Sequence, residues 1–226
     1  MKEKLKKHNK LIKGILALVI FFSTSSIQRL LVSVLKITEI TPRWAVIISC
    51  ISSLIVTLLL ILIYINDLKK EFKIYKSNLS DNIDIGIKYW LIGLGCMMVS
   101  NIILTLLLNA GQAENEQIVQ KMIDTLPYLL ILSAGVLAPI TEELVFRKAF
   151  KDNIKNKTIF ALVAGIVFGY LHVADASGLL QFLYIIPYSS LGVAFAVMYN
   201  KTNTVFTSIS MHMFHNLALT ILSIIA

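Results

Sequence analysis

Glu142 and Glu143 stand side by side in an otherwise apolar run, A-P-I-T-E-E-L-V-F-R-K-A-F from Ala138 to Phe150. An ionisable group at membrane depth costs roughly a few kcal/mol or more, so two adjacent carboxylates there point to chemistry. Arg147 follows Glu143 by one helical turn, where it can pair with that carboxylate. Successive helix residues point about 100° apart, so one acid faces Arg147 and the other is left to face a cavity. Pro139 lacks an N–H and clashes with the carbonyl four residues back, at Gly135, which predicts a kink beside the acids. Two further clusters interrupt the apolar background. Phe168 and His172 share a helix face at four-residue spacing, and so do His212 and Asn216, with His215 close by. A carboxylate and two imidazoles in a membrane cavity can activate water as general base or bind a metal. An asparagine amide nearby can donate to a developing oxyanion. This is the outline of a hydrolase.

The elements that must position these residues are membrane spans. The chain has 226 residues, of which 57% are hydrophobic and 15% charged. Apolar stretches of about twenty residues recur, the mark of transmembrane helices rather than of a soluble domain. Seven are predicted, at about 11–35, 45–65, 86–108, 126–150, 158–173, 179–199 and 204–225, the fifth being short and the sixth interrupted by Pro187. The segment 66–82 reads as a polar, basic connection and 109–125 as a mildly acidic loop. The expected organisation is three N-terminal spans over 1–125, led by a basic head that contains His8, and a catalytic core over 126–226. Straight helices would put His172 and Glu142 at different depths, so convergence needs tilting, the kink at Pro139, or a fifth helix that starts deeper. Cys50 and Cys96 both fall inside spans and read as small apolar residues, not as a disulfide. The first apolar run is too long for a cleavable signal, and no small-residue cleavage site clearly follows it.

The net charge of +8 does not imply nucleic acid, because the Lys and Arg residues cluster between spans. With the N-terminus inside, the outer loops hold only Lys36, Arg43 and Lys121, whereas the head, the 66–82 segment and the turn at Lys148–Lys157 are rich in lysine. That asymmetry predicts a multi-pass protein of the cell membrane with a cytoplasmic N-terminus.

The order E-E-x-x-x-R, F-x-x-x-H, H-x-x-x-N on three late spans resembles the CAAX protease and bacteriocin-processing family, also called the Abi or type II CAAX prenyl endopeptidase family. The resemblance covers roughly residues 125–226 and extends to the flanking words A-P-I-T-E-E-L-V-F-R and S-I-S-M-H-M-F-H-N. It implies an intramembrane endopeptidase with Glu142, His172 and His212 as catalytic core. Glu143 and Arg147 complete the first motif, and Asn216 becomes the oxyanion or orienting group. Lys148 departs from the pattern, standing where the family often has glycine. The family admits two chemistries. In one, Glu142, His172 and His212 are zinc ligands. In the other no cofactor is required: Glu142 with His172 activates water, and His212 with Asn216 stabilises the tetrahedral intermediate. The absence of H-E-x-x-H favours the second. The substrate implied is a peptide or a membrane-associated protein. By its compactness the chain looks like the bacterial branch, tied to peptide maturation, bacteriocin production, self-immunity or regulation.

Each residue also has a plainer reading. Glu142 and Glu143 can cap a cytoplasmic helix end with Arg147 and Lys148, and His172 can be an interfacial histidine. His212, His215 and Asn216 can glue helices together, as can Arg29 and Asn101, and Phe168 is packing. Two other functions compete with the hydrolase: a non-catalytic scaffold for a sensor or immunity partner, and a small transporter with a proton relay. No inverted repeat supports the transporter.

Overall fold

In the computed structural model the described residues are 2–225, with the side chains of residues 2–7 and 107 left aside, and they form an all-α protein without strands. Five helices are long and apolar enough to cross a membrane by themselves. A bent pair, α1 (Lys2–Phe22) and α2 (Thr24–Val34), makes a sixth candidate span with a 48° bend. The bend falls in a hydroxyl-rich stretch. Ser23 Oγ donates to the Ile20 carbonyl at 2.7 Å and Thr24 Oγ1 to the Phe21 carbonyl at 2.6 Å. Such back-bonding competes with the helix ladder and bends it. The first span expected at about 11–35 is thus a bent pair of helices.

The second span continues far beyond its apolar part. Helix α3 runs unbroken from Pro42 to Ser77, 36 residues. At ~1.5 Å per residue that is about 54 Å, well over the ~30 Å of a hydrocarbon core. The segment 66–82 is thus helical as far as Ser77 and again from Leu79, with the connection reduced to Asn78, because its lysines and Glu71 are good helix formers once the helix is nucleated. Helix α4 spans Leu79–Ile102, and α5, Glu114–Thr125, occupies most of the expected acidic loop. Helix α6 (Pro127–Asn153) carries two π-helical segments, Ser133–Leu137 and Glu143–Lys148. Helix α7 (Lys157–His172) has 16 residues, about 24 Å, which agrees with the short fifth stretch. Its N-cap, Asn156, accepts from the Thr158 and Ile159 N–H groups. The sixth stretch divides into α8 (Leu179–Phe182) and α9 (Ile185–Thr202), and α10 is Val205–Ile225. The interruption lies just before Pro187 rather than at it. Pro187 sits in the first turn of α9, where its missing N–H costs nothing.

The chain forms two compact units, each drawing on several stretches of sequence. The first takes residues up to Lys69, Gln120–Asn153 and the chain from His212 onward; the second takes Lys70–Val119 and Ile154–Met211.

In the first unit the end of α6 is tied to α1 and α3. Asp152 accepts one ammonium on each oxygen, Lys148 at 2.9 Å and Lys10 at 2.8 Å. Lys13 pairs with Asp67 at 2.6 Å, and Lys13 and Lys148 each lie 5.9 Å from the centroid of the buried Tyr64 ring. Phe21 meets Phe146 edge-on at 5.0 Å. Lys148, read from sequence as the start of a basic turn, is buried like Arg147, because the helix continues to Asn153 and packs against α1 and α3.

In the second unit α7 and α9 approach through glycines. A Cβ on Gly165 would come 2.3 Å from Val193 Cγ2, and one on Gly169 would come 2.2 Å from Ser189 Oγ. Gly192 lies against Gly165, where a Cβ would be 2.9 Å from its Cα. Only small residues allow two helix backbones this close. Glu71 is buried here and holds the start of α10, accepting the Val205 N–H at 2.7 Å and the Tyr199 hydroxyl at 2.9 Å. The two cysteines are free. Cys50 is buried as expected, but Cys96 is exposed on an apolar groove beside Tyr89 and Ile92.

Candidate active site

The first π segment of α6, Ser133–Leu137, contains Gly135, whose carbonyl was expected to clash with Pro139, and ends two residues before that proline. Widening the turn relieves that clash. The Ala138 N–H donates five residues back, to the Ser133 carbonyl. The Ala134 carbonyl thereby loses its usual donor, Ala138. Its alternative partner in a widened turn would be residue 139, and a proline has no N–H. Asn216 supplies the missing donor, its Nδ2 lying 2.9 Å from the Ala134 oxygen. The helices can meet there because residue 135 is glycine: a Cβ at that position would fall 2.5 Å from Leu217 Cδ2. From α3, Thr57 reaches the same bend, with its hydroxyl 2.8 Å from the Thr141 hydroxyl.

The second π segment begins at Glu143 and separates the two acids. Glu143 is fully buried and lies 3.3 Å from Arg147 Nη1, which is also fully buried. Glu142 keeps 19% of its side chain exposed. This is the division expected from the helical angle, one acid locked by the arginine and the other facing outward. His212, buried on α10, stands against both. Its Nδ1 lies 3.0 Å from Glu143 Oε1 and its Nε2 lies 3.7 Å from Glu142 Oε2. A carboxylate oxygen accepts, so Nδ1 carries the proton of the first contact and, in the neutral ring, Nε2 carries the lone pair. The 3.7 Å separation is too long for a direct hydrogen bond. It does suit a water at hydrogen-bond distance, ~2.8 Å, from both atoms. The first unit thus gathers Glu142, Glu143, Arg147, His212 and Asn216, with His215 buried one turn from His212.

His172 belongs to the second unit, at the end of α7. Its Nδ1 is 2.9 Å from the Phe168 carbonyl, so Nδ1–H is the donor there and Nε2 again carries the lone pair in the neutral ring. The ring contacts Phe168 (centroids 4.5 Å apart, interplanar 47°) and Tyr188 (4.5 Å, 27°, stacked). His172 and Tyr188 line a cavity closed by α5 and the loop after α7. That loop is pinned by Glu114, which accepts from the Ser177 N–H at 3.1 Å and from the Ser177 hydroxyl. Gln181 adds a bond to the Ala110 carbonyl at 2.8 Å. Sequence reasoning passed over Tyr188, Glu114, Gln181, Thr57 and Thr141. Only the polar residues among them left a signal, as isolated interruptions of apolar stretches. His8 is exposed in the head, and Arg29 is exposed with its guanidinium 3.3 Å from Ser26 Oγ.

Among the described residues no group of three or more His, Cys, Asp or Glu side chains is arranged to hold a metal ion. The edge between Glu142 and His212 offers two donors, with the second nitrogen of His212 committed to Glu143. A structural zinc has four protein ligands and a catalytic one three, so this donor pair does not by itself fit the ion.

Residues 124–218 match the family model described as type II CAAX prenyl endopeptidase Rce1-like. That segment belongs to this family. The matched residues contain all three motifs. Three curated relatives are also similar. "Putative membrane peptidase YdiL" of Bacillus subtilis is 32% identical over 108 residues, 46% of this chain and 41% of that protein. An uncharacterised protein of Mycoplasma capricolum is 30% identical over 172 residues, 71% of this chain and 50% of its own length. "UPF0177 protein YxdF" of Lactococcus lactis is 29% identical over 167 residues, covering 71% of this chain and 89% of that protein. The chain thus spans half or less of the first two relatives. No solved structure matches. The apolar helices and the family match together support a multi-pass membrane protein.

Proposed function

We propose that the protein is an intramembrane endopeptidase that hydrolyses a peptide bond in a peptide or membrane-associated protein with a glutamate-activated water. The observation that carries this reading is the unequal fate of the two acids: Glu143 is held by Arg147 and His212, while Glu142 stays partly exposed with its Oε2 3.7 Å from His212 Nε2. A water donating one hydrogen to each of these acceptors turns its lone pair outward, toward a substrate carbonyl. Glu142 takes a proton as the water oxygen bonds to the carbonyl carbon, and the carbonyl electrons move to oxygen. When the tetrahedral intermediate collapses, the C–N bond breaks and Glu142 returns the proton to the leaving amine. His212, held in one tautomer by Glu143, acts as orienter of the water in this scheme. Asn216 has two amide N–H groups; one serves Ala134 and the second is assigned to the oxyanion. His172 is assigned to the catalytic set by the family motif it completes. In this reading the N-terminus is cytoplasmic, by the lysine distribution.

The test uses the full chain in detergent with a library of quenched fluorescent peptides, together with metal analysis of the same preparation. Glu142→Gln is expected to lower cleavage by about two orders of magnitude or more, and His172→Ala and His212→Ala to do likewise, with unfolding curves unchanged for Glu142→Gln. Full-rate cleavage by folded Glu142→Gln sinks the proposal. Stoichiometric zinc whose removal abolishes cleavage would replace the water-activation scheme with a metal one. A cellular phenotype that survives Glu142→Gln would support a scaffold instead.

A further inference from the structure

Tyr188 is absent from the three motifs, yet its ring is stacked on His172 at 4.5 Å with an interplanar angle of 27°. We infer that Tyr188 is a positioning residue: with the Phe168 carbonyl it holds the His172 imidazole in one plane and one tautomer, with Nε2 as the basic nitrogen. The inference rests on the catalytic reading of His172 for its functional meaning, but its physical content can be tested without it.

Three restraints converge on the ring. The Phe168 carbonyl, 2.9 Å from Nδ1, accepts the only proton of the neutral imidazole. The Phe168 ring covers one side at 47°, a tilted contact that leaves rotation about the Cβ–Cγ bond possible. Tyr188 covers the ring in the near-parallel geometry that resists that rotation. A rotated ring would take Nδ1 off its carbonyl and open the other tautomer. The backbone explains why Tyr188 can reach. Gly165 and Gly169 on α7 allow close approach of α9 at Val193, Ser189 and Gly192. Gly192 is one turn after Tyr188 and Gly169 is three residues before His172, so the same crossing that needs glycine sets the spacing of the two rings. The tyrosine is itself anchored. Asn115 Nδ2 donates to the Tyr188 hydroxyl at 3.4 Å, and Tyr188 packs against the buried group of Leu104, Ala110, Ala113, Val173 and Tyr184. A side chain kept rigid at both ends transmits its geometry to the imidazole, and orientation of a catalytic group is worth a substantial share of its rate contribution.

The prediction separates ring from hydroxyl. Tyr188→Phe keeps the stacking surface and Tyr188→Leu removes it. The full chain with 15N-labelled histidine in detergent micelles reports the tautomer of each of its four histidines by long-range nitrogen–proton correlation. Wild type and Tyr188→Phe are expected to show His172, assigned by its loss in His172→Ala, as the single Nδ1–H tautomer. Tyr188→Leu is expected to show a mixture, and with the peptide library about a tenfold fall in kcat and less than a twofold change in KM. A folded Tyr188→Leu protein that keeps one Nδ1–H tautomer overturns the inference, and so does a wild type in which His172 carries its proton on Nε2. Should Tyr188→Leu fail to fold, Tyr188→Val and Tyr188→Met take its place in the same spectrum. Full activity of His172→Ala with the tautomer shift intact would instead strike the catalytic reading and leave the positioning role standing.

Discussion

Replacing Asn216 by alanine isolates the consequence of a proline beside the active acids. The Ala134 carbonyl has no helix donor: Ala138 bonds to Ser133, and residue 139 is proline. Asn216 Nδ2, at 2.9 Å, takes that place. An interhelical hydrogen bond within a membrane is worth ~0.6 kcal/mol on average, and an orphaned buried polar group costs ~1–3 kcal/mol. Asn216 is half-buried, and the glycine at 135 packs the helices too closely for easy rearrangement, so Asn216→Ala is expected to cost about 1–2 kcal/mol. Pro139→Ala restores a backbone N–H that can serve Ala134 in the widened turn, or lets Ala138 return to it. In that background Asn216→Ala should cost less than about 0.5 kcal/mol, a coupling of roughly 1 kcal/mol in the double-mutant cycle. The assay is unfolding of the four proteins in mixed detergent micelles with rising SDS fraction. Additivity of the two substitutions within about 0.3 kcal/mol would refute the account of the carbonyl. Comparing cleavage across the same four proteins then distinguishes support of the bend from a role in the reaction, since only the latter is lost in both backgrounds.

Glu143→Ala leaves the fully buried Arg147 without its carboxylate and should cost about 3–5 kcal/mol, whereas Glu142→Gln, at a partly exposed side chain, should cost under about 1 kcal/mol; SDS unfolding curves check both, and the reverse order would mean the two acids have been assigned the wrong way round. Glu71→Ala removes the acceptor of the Val205 N–H and the Tyr199 hydroxyl at the start of α10, for an expected loss of about 2 kcal/mol. Hydrogen exchange at the first turn of α10 should rise with it, and unchanged protection there would count against the cap.

The sequence by itself determined the all-α membrane class and singled out the polar residues of the late spans. Membrane spans are legible because length and hydropathy are additive along the chain, and an acid inside a span is conspicuous for the energetic cost of placing it there. The unequal environments of Glu142 and Glu143 followed from helical geometry alone, and Pro139 announced its bend through a missing donor. Tertiary structure decided what those local rules leave open. Whether a polar stretch continues a helix depends on what it packs against, and so 66–77 was read as a connection and is part of α3. Lys148 looks like the start of a basic turn in sequence and is buried where α6 packs against α1 and α3, with its ammonium 2.9 Å from Asp152 and over the Tyr64 ring. Asn216 acquires its partner from α6, Glu71 its two donors from the α9–α10 junction, and His172 its stacking ring from α9. Hydrogen bonds and ring contacts are short-ranged, and residues far apart in sequence form them only after packing has brought their helices together.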